Sequence, residues 1–349
     1  MLVYWLLFAF FAVGALFQRG QRVQRKVSVP LIVGAILTGL AIGLRYKVGA
    51  DWRTYEILYY YAGHVKFGRL LRFGDPGFQL VSWSLQGIGA DIWVLNLFCG
   101  LVFSWGLYRF VRVQPDPWLS CVVAVPYLIV VVAMGYTRQA VAIGILMAGL
   151  AAMKQGASVL RFSIYVFVAA LFHKTAVMVL PLVIFAGRRN KLLNAIAGVA
   201  GYILFYDLFL ANSVETLVRN YVEAEYSSQG AGIRVAMNFV PAAVFMLFRK
   251  RLQFDEDEIG IWHYFALASL IMPILLVLVP SSTAIDRVAL YLIPLQIAVL
   301  PRIQFLFRGR GFGRALIVGY AAAVLFTWLN FAAHAEYWVP YQIYPGLFE

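Results

Sequence analysis

Apolar stretches recur from one end of the chain to the other. They fall at 2–17, 29–44, 92–110, 118–135, 138–153, 159–172, 175–187, 192–210, 235–248, 259–280, 286–301 and 315–332, with short polar or basic connections between them. This pattern predicts about 12 transmembrane helices. Several are shorter than the ~20 residues that cross a bilayer comfortably. Short spans suit local thinning of the bilayer or broken helices beside a cavity. Segment 77–90 is different, because Gln79, Ser82, Ser84 and Gln86 interrupt its apolar residues and Gly87 and Gly89 close it. If it crossed, every later loop would change sides, so it is expected to be a re-entrant or interfacial helix on the outer side. The polar segment 211–234, with Glu215, Arg219, Glu223 and Glu225, predicts an external helical segment. The tail 333–349 carries Tyr337, Trp338, Tyr341 and Tyr344, residue types that favour the headgroup level. The expected architecture is an all-α polytopic integral membrane protein. Its single membrane domain, 1–349, has external loops at 45–77 and 211–234 and an external tail at 333–349.

Composition agrees. Hydrophobic residues make up 62% of the chain and charged residues 13%, against about half and a quarter in soluble domains. No polar stretch is long enough to bury a core of its own, so a separate soluble domain is not expected. The net charge of +13 could point to nucleic acid, but no polar domain exists to hold it. The cations instead read as topology signals and lipid-surface contacts. With the N-terminus outside, cytoplasmic loops hold Arg19, Arg22, Arg25 and Lys26, then Arg109 and Arg112, then Lys154 and Arg161, then Arg188, Arg189 and Lys191, then Arg249, Lys250 and Arg251, then Arg302, Arg308, Arg310 and Arg314. Both termini are then external. One external loop breaks the rule, with Arg45, Lys47, Arg53, Lys66, Arg69 and Arg72. Cys99 and Cys121 lie in apolar runs and are expected to be buried thiols. The first apolar run lacks a basic leader and an Ala-x-Ala site, which predicts a retained helix. The run Asp255-Glu256-Asp257-Glu258 reads as a solvated cytoplasmic loop.

Ionisable residues at membrane depth are costly and mark candidate chemistry. Arg138 opens the apolar segment after Met134-Gly135-Tyr136-Thr137, where a helix N-terminus would add to an anion site. The alternative is an arginine reaching for lipid headgroups. His173-Lys174 interrupts an apolar stretch and could accept a proton, donate to phosphate or serve as a structural hydrogen bonder. Asp286-Arg287 opens a late span, with Asp286 as an N-cap and Arg287 left to face the cavity. Arg234 stands at the start of another. Together with Arg45 and Arg53, these form an external set of guanidiniums, whose planar bidentate donors suit a pyrophosphate. No phosphate-cradling Gly-x-x-x-x-Gly-Lys-[Ser/Thr] loop is present, and no metal-ligand spacing stands out. No cofactor is expected.

Several short pieces recur in order along one membrane side. They are Arg45 with Val48-Gly49-Ala50-Asp51-Trp52 and Tyr55; Asp75-Pro76-Gly77-Phe78; Arg138-Gln139; Phe172-His173-Lys174-Thr175-Ala176; Arg287 with Tyr291; and Trp338-Val339-Pro340-Tyr341. In this set the chain resembles the EpsG/Wzy-like family of polysaccharide polymerases, although Ala50-Asp51-Trp52 stands where that family often has Thr-Asp-Tyr. The resemblance implies an integral-membrane glycosyltransferase in the bacterial cytoplasmic membrane. It would join repeat units carried on undecaprenyl pyrophosphate, using a lipid-linked donor and a lipid-linked acceptor at the outer face. A chain-length regulator and a flippase are the implied protein partners. Arg138, Arg287 and Arg45 are the first candidates to stabilise the departing pyrophosphate, with Arg53, Arg234 and Lys174 in support. Asp51 or His173 would take the proton of the attacking hydroxyl, and Asp51 could equally be a structural partner of Arg45 and Arg53. Trp52, Tyr55, Tyr59 and Tyr291 are candidates for stacking on sugar faces, or for an interfacial aromatic belt. Two rival activities fit a basic external cavity: flipping a lipid-linked glycan and acylating one.

Overall fold

The computed structural model describes residues 1–18, 28–70, 74–186 and 230–345. Helices follow in the order α1 (Leu2–Phe17), α2 (Val29–Gly43), α3 (Trp52–Gly63), α4 (Phe67–Leu70), α5 (Pro76–Gly87), α6 (Ile92–Val111) and α7 (Pro117–Ala124). A π-helical stretch, Val125–Ala133, then leads to α8 (Thr137–Lys154) and α9 (Val159–Phe172). A 3-10 stretch, Lys174–Val179, joins α10 (Leu180–Ala186). The later helices are α11 (Ala231–Phe248), α12 (Glu256–Leu278), α13 (Ser282–Ala289), α14 (Ile293–Val299) and α15 (Arg310–Phe331). Among the described residues there are no strands, only an isolated bridge between Arg45 and Ile343.

Among the described residues, five helical segments are long and apolar enough to cross a membrane: α6, α11, α12, the run Ser282–Leu306 and α15. The apolar stretches Leu2–Phe17, Val29–Gly43, Pro117–Ala133, Val159–Phe172 and Lys174–Ala186 are shorter. The fold is that of a helical, multi-pass membrane protein. The expected span at 192–210 lies outside the described residues, as does nearly all of 211–234. Where 77–90 was expected to lie on or dip into the membrane, α5 has 12 residues. At 1.5 Å per residue that is about 18 Å, well short of a ~30 Å hydrocarbon core.

The described residues divide into two compact units. The first comprises Met1–Ala148, Val168–His173 and Arg314–Glu349. Its helices pack closely because small residues face one another: a Cβ on Gly100 of α6 would stand 2.7 Å from the Gly39 carbonyl of α2. Arg314 pairs with the buried Asp116 at 3.0 Å and donates to the Gln18 carbonyl at 2.7 Å, which ties the start of α15 to α7 and the end of α1. The π-helical stretch contains Pro126 and is buried throughout, and this is a recognised place for a helix to widen.

The aromatic tail is anchored on the first unit by Trp338 and Tyr341, while Tyr337 stays exposed. Trp338 is 1% exposed, covered by the chain itself, and its indole donates to the Val130 carbonyl at 2.7 Å, near the end of the π-helical stretch. Carbonyls in a last helical turn lack intrahelical donors, and the indole supplies one. Tyr4 donates back to the Trp338 carbonyl, and Tyr341 donates to the Ala41 carbonyl at 2.8 Å.

The second unit comprises Gly149–Phe167 and Lys174–Gly313, as far as these are described. Here α11 packs along α12 and against α14. The acidic run opens a helix, and while Asp255, Glu256 and Asp257 are exposed as expected, Glu258 is not. Asp255 caps α12 in a reciprocal capping box with Glu258, and Glu258 is 3% exposed. Glu258 accepts from Arg302 at 2.9 Å and from Lys154 at 2.8 Å. Arg302, expected in a basic loop, is 1% exposed; it donates to the Ala298 carbonyl at 2.6 Å and lies 4.1 Å from the Phe254 ring centre.

Candidate active site

The 45–55 stretch is built around Arg45. Its guanidinium is 1% exposed, donates from Nη2 to Thr137 Oγ1 at 2.7 Å and from Nε to the Val48 carbonyl at 3.3 Å, and bonds the Ile42 carbonyl. It also lies 5.9 Å from the Trp52 ring centre. Burial pushes its pKa down to about 10, which leaves it cationic at neutral pH. An arginine so enclosed organises its surroundings: it fastens the turn after α2 to the first residue of α8. Arg45, expected to contact pyrophosphate, is enclosed by the chain and bonded to its carbonyls and a hydroxyl. Gly49 shapes the same turn. Its φ of 101° suits glycine, its N–H donates to the Tyr337 carbonyl at 2.8 Å, and a Cβ there would collide with the Met134 carbonyl. Arg45 pairs as a bridge with Ile343, and Tyr46 donates to the Gln342 carbonyl, so the tail lies along this turn.

Arg138 stands in the first turn of α8, beside Thr137. Its Nη1 donates to Asp75 Oδ2 at 2.7 Å, and its guanidinium lies 5.8 Å from the Tyr55 ring centre and 6.0 Å from that of Phe78. The Asp75 side chain is 7% exposed and that of Arg138 is 29% exposed, so the pair is enclosed on the carboxylate side and open on the guanidinium side. Asp75 occupies the N-cap position of α5, ahead of Pro76, yet its side chain makes no cap bond and turns to Arg138 instead. Tyr55 comes from α3 and Phe78 from α5, two helices packed on each other. Three buried polar atoms in this region have no partner: Arg138 Nε, Gln79 Oε1 and Trp52 Nε1.

The remaining candidates in the first unit differ in burial. Asp51 occupies the N-cap position of α3 without a side-chain cap bond and is half-buried. Arg53 is exposed. Trp52, Tyr55 and Tyr59 are buried, so their faces are covered by the chain. Tyr59 donates to the Ala90 carbonyl, and burial raises its pKa to about 12. His173 follows α9 directly and is half-buried.

In the second unit the expectations for 286–287 are corrected. Ser281 caps α13, accepting from the Ala284 N–H, so neither Asp286 nor Arg287 begins a helix. Asp286 is instead buried and accepts from Arg234 Nε at 2.6 Å. Arg234 is thereby committed to a carboxylate, with a side chain only 10% exposed. Arg287 lies in the last turn of α13 and is half-buried. Lys174 opens the 3-10 stretch, and the next residue, Thr175, shares a 3.1 Å hydrogen bond with Tyr291. Further along, Asn238 donates to the Ala289 carbonyl at 2.8 Å and accepts from Gln296 at 2.7 Å.

Asp75, part of one of the short sequence pieces but not among the site candidates, is the brace of Arg138. An Asp-Pro pair ahead of an apolar helix has a sufficient explanation as a cap, and nothing local signals a partner 63 positions away. Among the described residues no group of three or more His, Cys, Asp or Glu gathers as a metal site. A family model described as the EpsG family matches residues 28–343. Neither a curated protein nor a solved structure matches the chain.

Proposed function

Because the chain belongs to the EpsG family, we propose that it is a membrane-embedded polysaccharide polymerase whose Arg138 receives the pyrophosphate of a lipid-linked glycan donor. Undecaprenyl pyrophosphate is the proposed carrier, the bacterial cytoplasmic membrane the proposed location, and its outer face the side of transfer, with both termini external. A hydroxyl of the acceptor unit attacks the anomeric carbon of the growing glycan. The new C–O bond forms as the bond to the pyrophosphate oxygen breaks, and the electron pair leaves with the lipid pyrophosphate. The hydroxyl proton passes to a nearby base, for which Asp51 and His173 remain the candidates.

The observation that carries this reading is the state of Arg138. It is braced by Asp75 on one side, seated against two aromatic rings, partly open, and left with an unpartnered Nε. A guanidinium held in place before substrate arrives stabilises developing negative charge without reorganising, and its place in the first turn of α8 adds the positive end of the helix dipole. Trp52 Nε1 and Gln79 Oε1 add a donor and an acceptor of the kind that sugar hydroxyls satisfy. In the second unit, Lys174 and Arg287 are proposed as further cations for the lipid-linked substrates.

The test is chain extension by the purified protein in proteoliposomes, using lipid-linked repeat units. Arg138→Ala is expected to lower the rate by about 10²–10³ at unchanged protein level. Extension at a near-normal rate in that variant would refute the role of Arg138. In cells, loss of a polymerase leaves single lipid-linked units at the outer face. Loss of a flippase strands them inside, and loss of an acyltransferase leaves full-length chains.

A further inference from the structure

The α3–α5 hairpin has an outward surface that the Arg138 site does not use. On α3, Trp52, Tyr55, Tyr59 and Ala62 are buried, while positions 53, 57, 60, 61 and 64 form one exposed stripe at helical spacing. On α5, Phe78, Gln79 and Ser82 are buried, and positions 80, 83, 84 and 87 are exposed. The outward positions are unusually apolar for a surface: Ile57 is 61% exposed, Tyr60 44%, Tyr61 49%, Leu80 44%, Trp83 39% and Ile88, just beyond α5, 78%. Around them stand exposed Arg53, Lys66 and Arg69, and none of these three has an ion-pair partner among the described residues.

The hairpin cannot lie far from the bilayer. Gly87 ends α5 and Ile92 begins α6, a membrane-length helix. That link reaches at most about 17 Å even when fully extended. An amphipathic helix that pairs aromatic and aliphatic residues with cations, at the margin of a bilayer, has the composition of an in-plane interfacial helix. We propose that this face docks on the anionic phospholipid headgroups of the leaflet beside it. Ile57, Leu80 and Ile88 enter the acyl boundary, Tyr60, Tyr61 and Trp83 sit at headgroup level, and Arg53, Lys66 and Arg69 take the phosphates. Docking also has a consequence for the proposed site, because Asp75 and the rings of Tyr55 and Phe78 belong to the same hairpin. Seating it in the headgroup layer sets the Arg138 pocket at the depth where a lipid pyrophosphate lies.

The experiment uses the full chain in vesicles and needs neither glycan nor turnover, so its failure is separate from failure of the polymerase reading. Cys99 and Cys121 are both buried, so an introduced surface cysteine can be spin-labelled selectively. Labels are placed one at a time on Ile57→Cys, Tyr61→Cys and Ile88→Cys. Their collision with oxygen and with a water-soluble nickel complex is measured in phosphatidylcholine and in phosphatidylcholine mixed with phosphatidylglycerol. The expected result is preferential contact with oxygen that rises in the anionic vesicles. Each cation near an anionic surface contributes about a five-fold factor. In an Arg53→Gln/Lys66→Gln/Arg69→Gln background the rise with phosphatidylglycerol disappears. Nickel contact typical of open water in both vesicles overturns the proposal. So does oxygen contact that ignores lipid charge, or labels shielded only when a soluble acidic oligosaccharide is added. Since replacing Tyr61 or Ile57 could disturb the hairpin, the wild-type chain supplies a second reading. Bromines placed near the lipid headgroups quench wild-type fluorescence more strongly than that of Trp83→Phe, and equal quenching overturns the placement of Trp83.

Discussion

At the scale of single residues, Arg45 and Arg138 show how one side-chain type divides into two roles. Both guanidiniums belong to the same end of the first unit. Arg45 is surrounded by carbonyls, a hydroxyl and an indole ring, so its donors are already spoken for. Arg138 has a carboxylate brace and an open side. The distinction predicts different failures. Arg45→Ala leaves the buried Val48 and Ile42 carbonyls and Thr137 without their donor, so it lowers protein level and thermal stability by about 3 kcal/mol or more, read as a shift in unfolding midpoint. Asp75→Asn keeps the shape of the brace but removes its charge. It should leave expression intact and reduce extension about 10- to 100-fold, with the loss in kcat rather than in KM, because a less firmly held guanidinium is a poorer partner for charge that develops late. Equal loss in protein level for both variants would contradict this division. Arg138 was legible in the sequence because a cation at the start of an apolar segment is costly. Asp75 was not, because an Asp before Pro already looks like a cap. Asp286 misled in the same way: it precedes an apolar run as a cap would, but Ser281 is the cap and Asp286 the partner of Arg234.

At the scale of elements, hydrophobic periodicity located the apolar helices, since a continuous run of apolar residues fixes where a chain can be buried in lipid. It could not show where such a run changes its winding. The π-helical stretch at 125–133 and the 3-10 turn at 290–292 lie within runs that read as continuously apolar, and the 3-10 turn at 174–179 begins at a charged break that says nothing of its winding. Charge patterns misled where a charged run entered a core. Four acidic residues in a row looked solvated, yet Glu258 closes a desolvated triad with Arg302 and Lys154 that joins the ends of three segments. Removing one member of such a triad strands the others, while replacing the central pair with apolar residues of similar size need not destabilise. Glu258→Gln is therefore expected to destabilise the protein by about 3–5 kcal/mol. The double variant Glu258→Met/Arg302→Met is expected to recover most of that loss, both read by thermal denaturation in detergent. A double variant worse than the single one would mean that the charges, and not their pairing, hold these segments.

At the scale of the whole molecule, membrane class follows from composition, and family follows from the order of short motifs along the chain rather than from any one of them. The side of the membrane on which each loop lies is set by its unpaired cations rather than by composition. Arg302 and Arg314 were counted as loop cations, but both are held by carboxylates, Glu258 and Asp116, so they say less about orientation than free cations do. Arg249, Lys250 and Arg251 report orientation better, since they follow α11 directly and none of them is buried. The tail adds an independent constraint. Tyr46 and Tyr344 exchange backbone bonds with Gln342 and Leu44 across the isolated bridge, so the tail and the 45–55 turn share one side whichever side that is. Orientation thus reduces to one question, which single cysteines can answer. With the external placement of both termini, Ile343→Cys reacts with a membrane-impermeant maleimide in intact spheroplasts, while Lys250→Cys reacts only after the membrane is opened. Cys99 and Cys121 are buried and give little background. The reverse pattern would put Arg138 and its brace at the cytoplasmic surface. A polymerase acting on exported lipid-linked units could not then use them, and the donor would have to be met before it crosses the membrane.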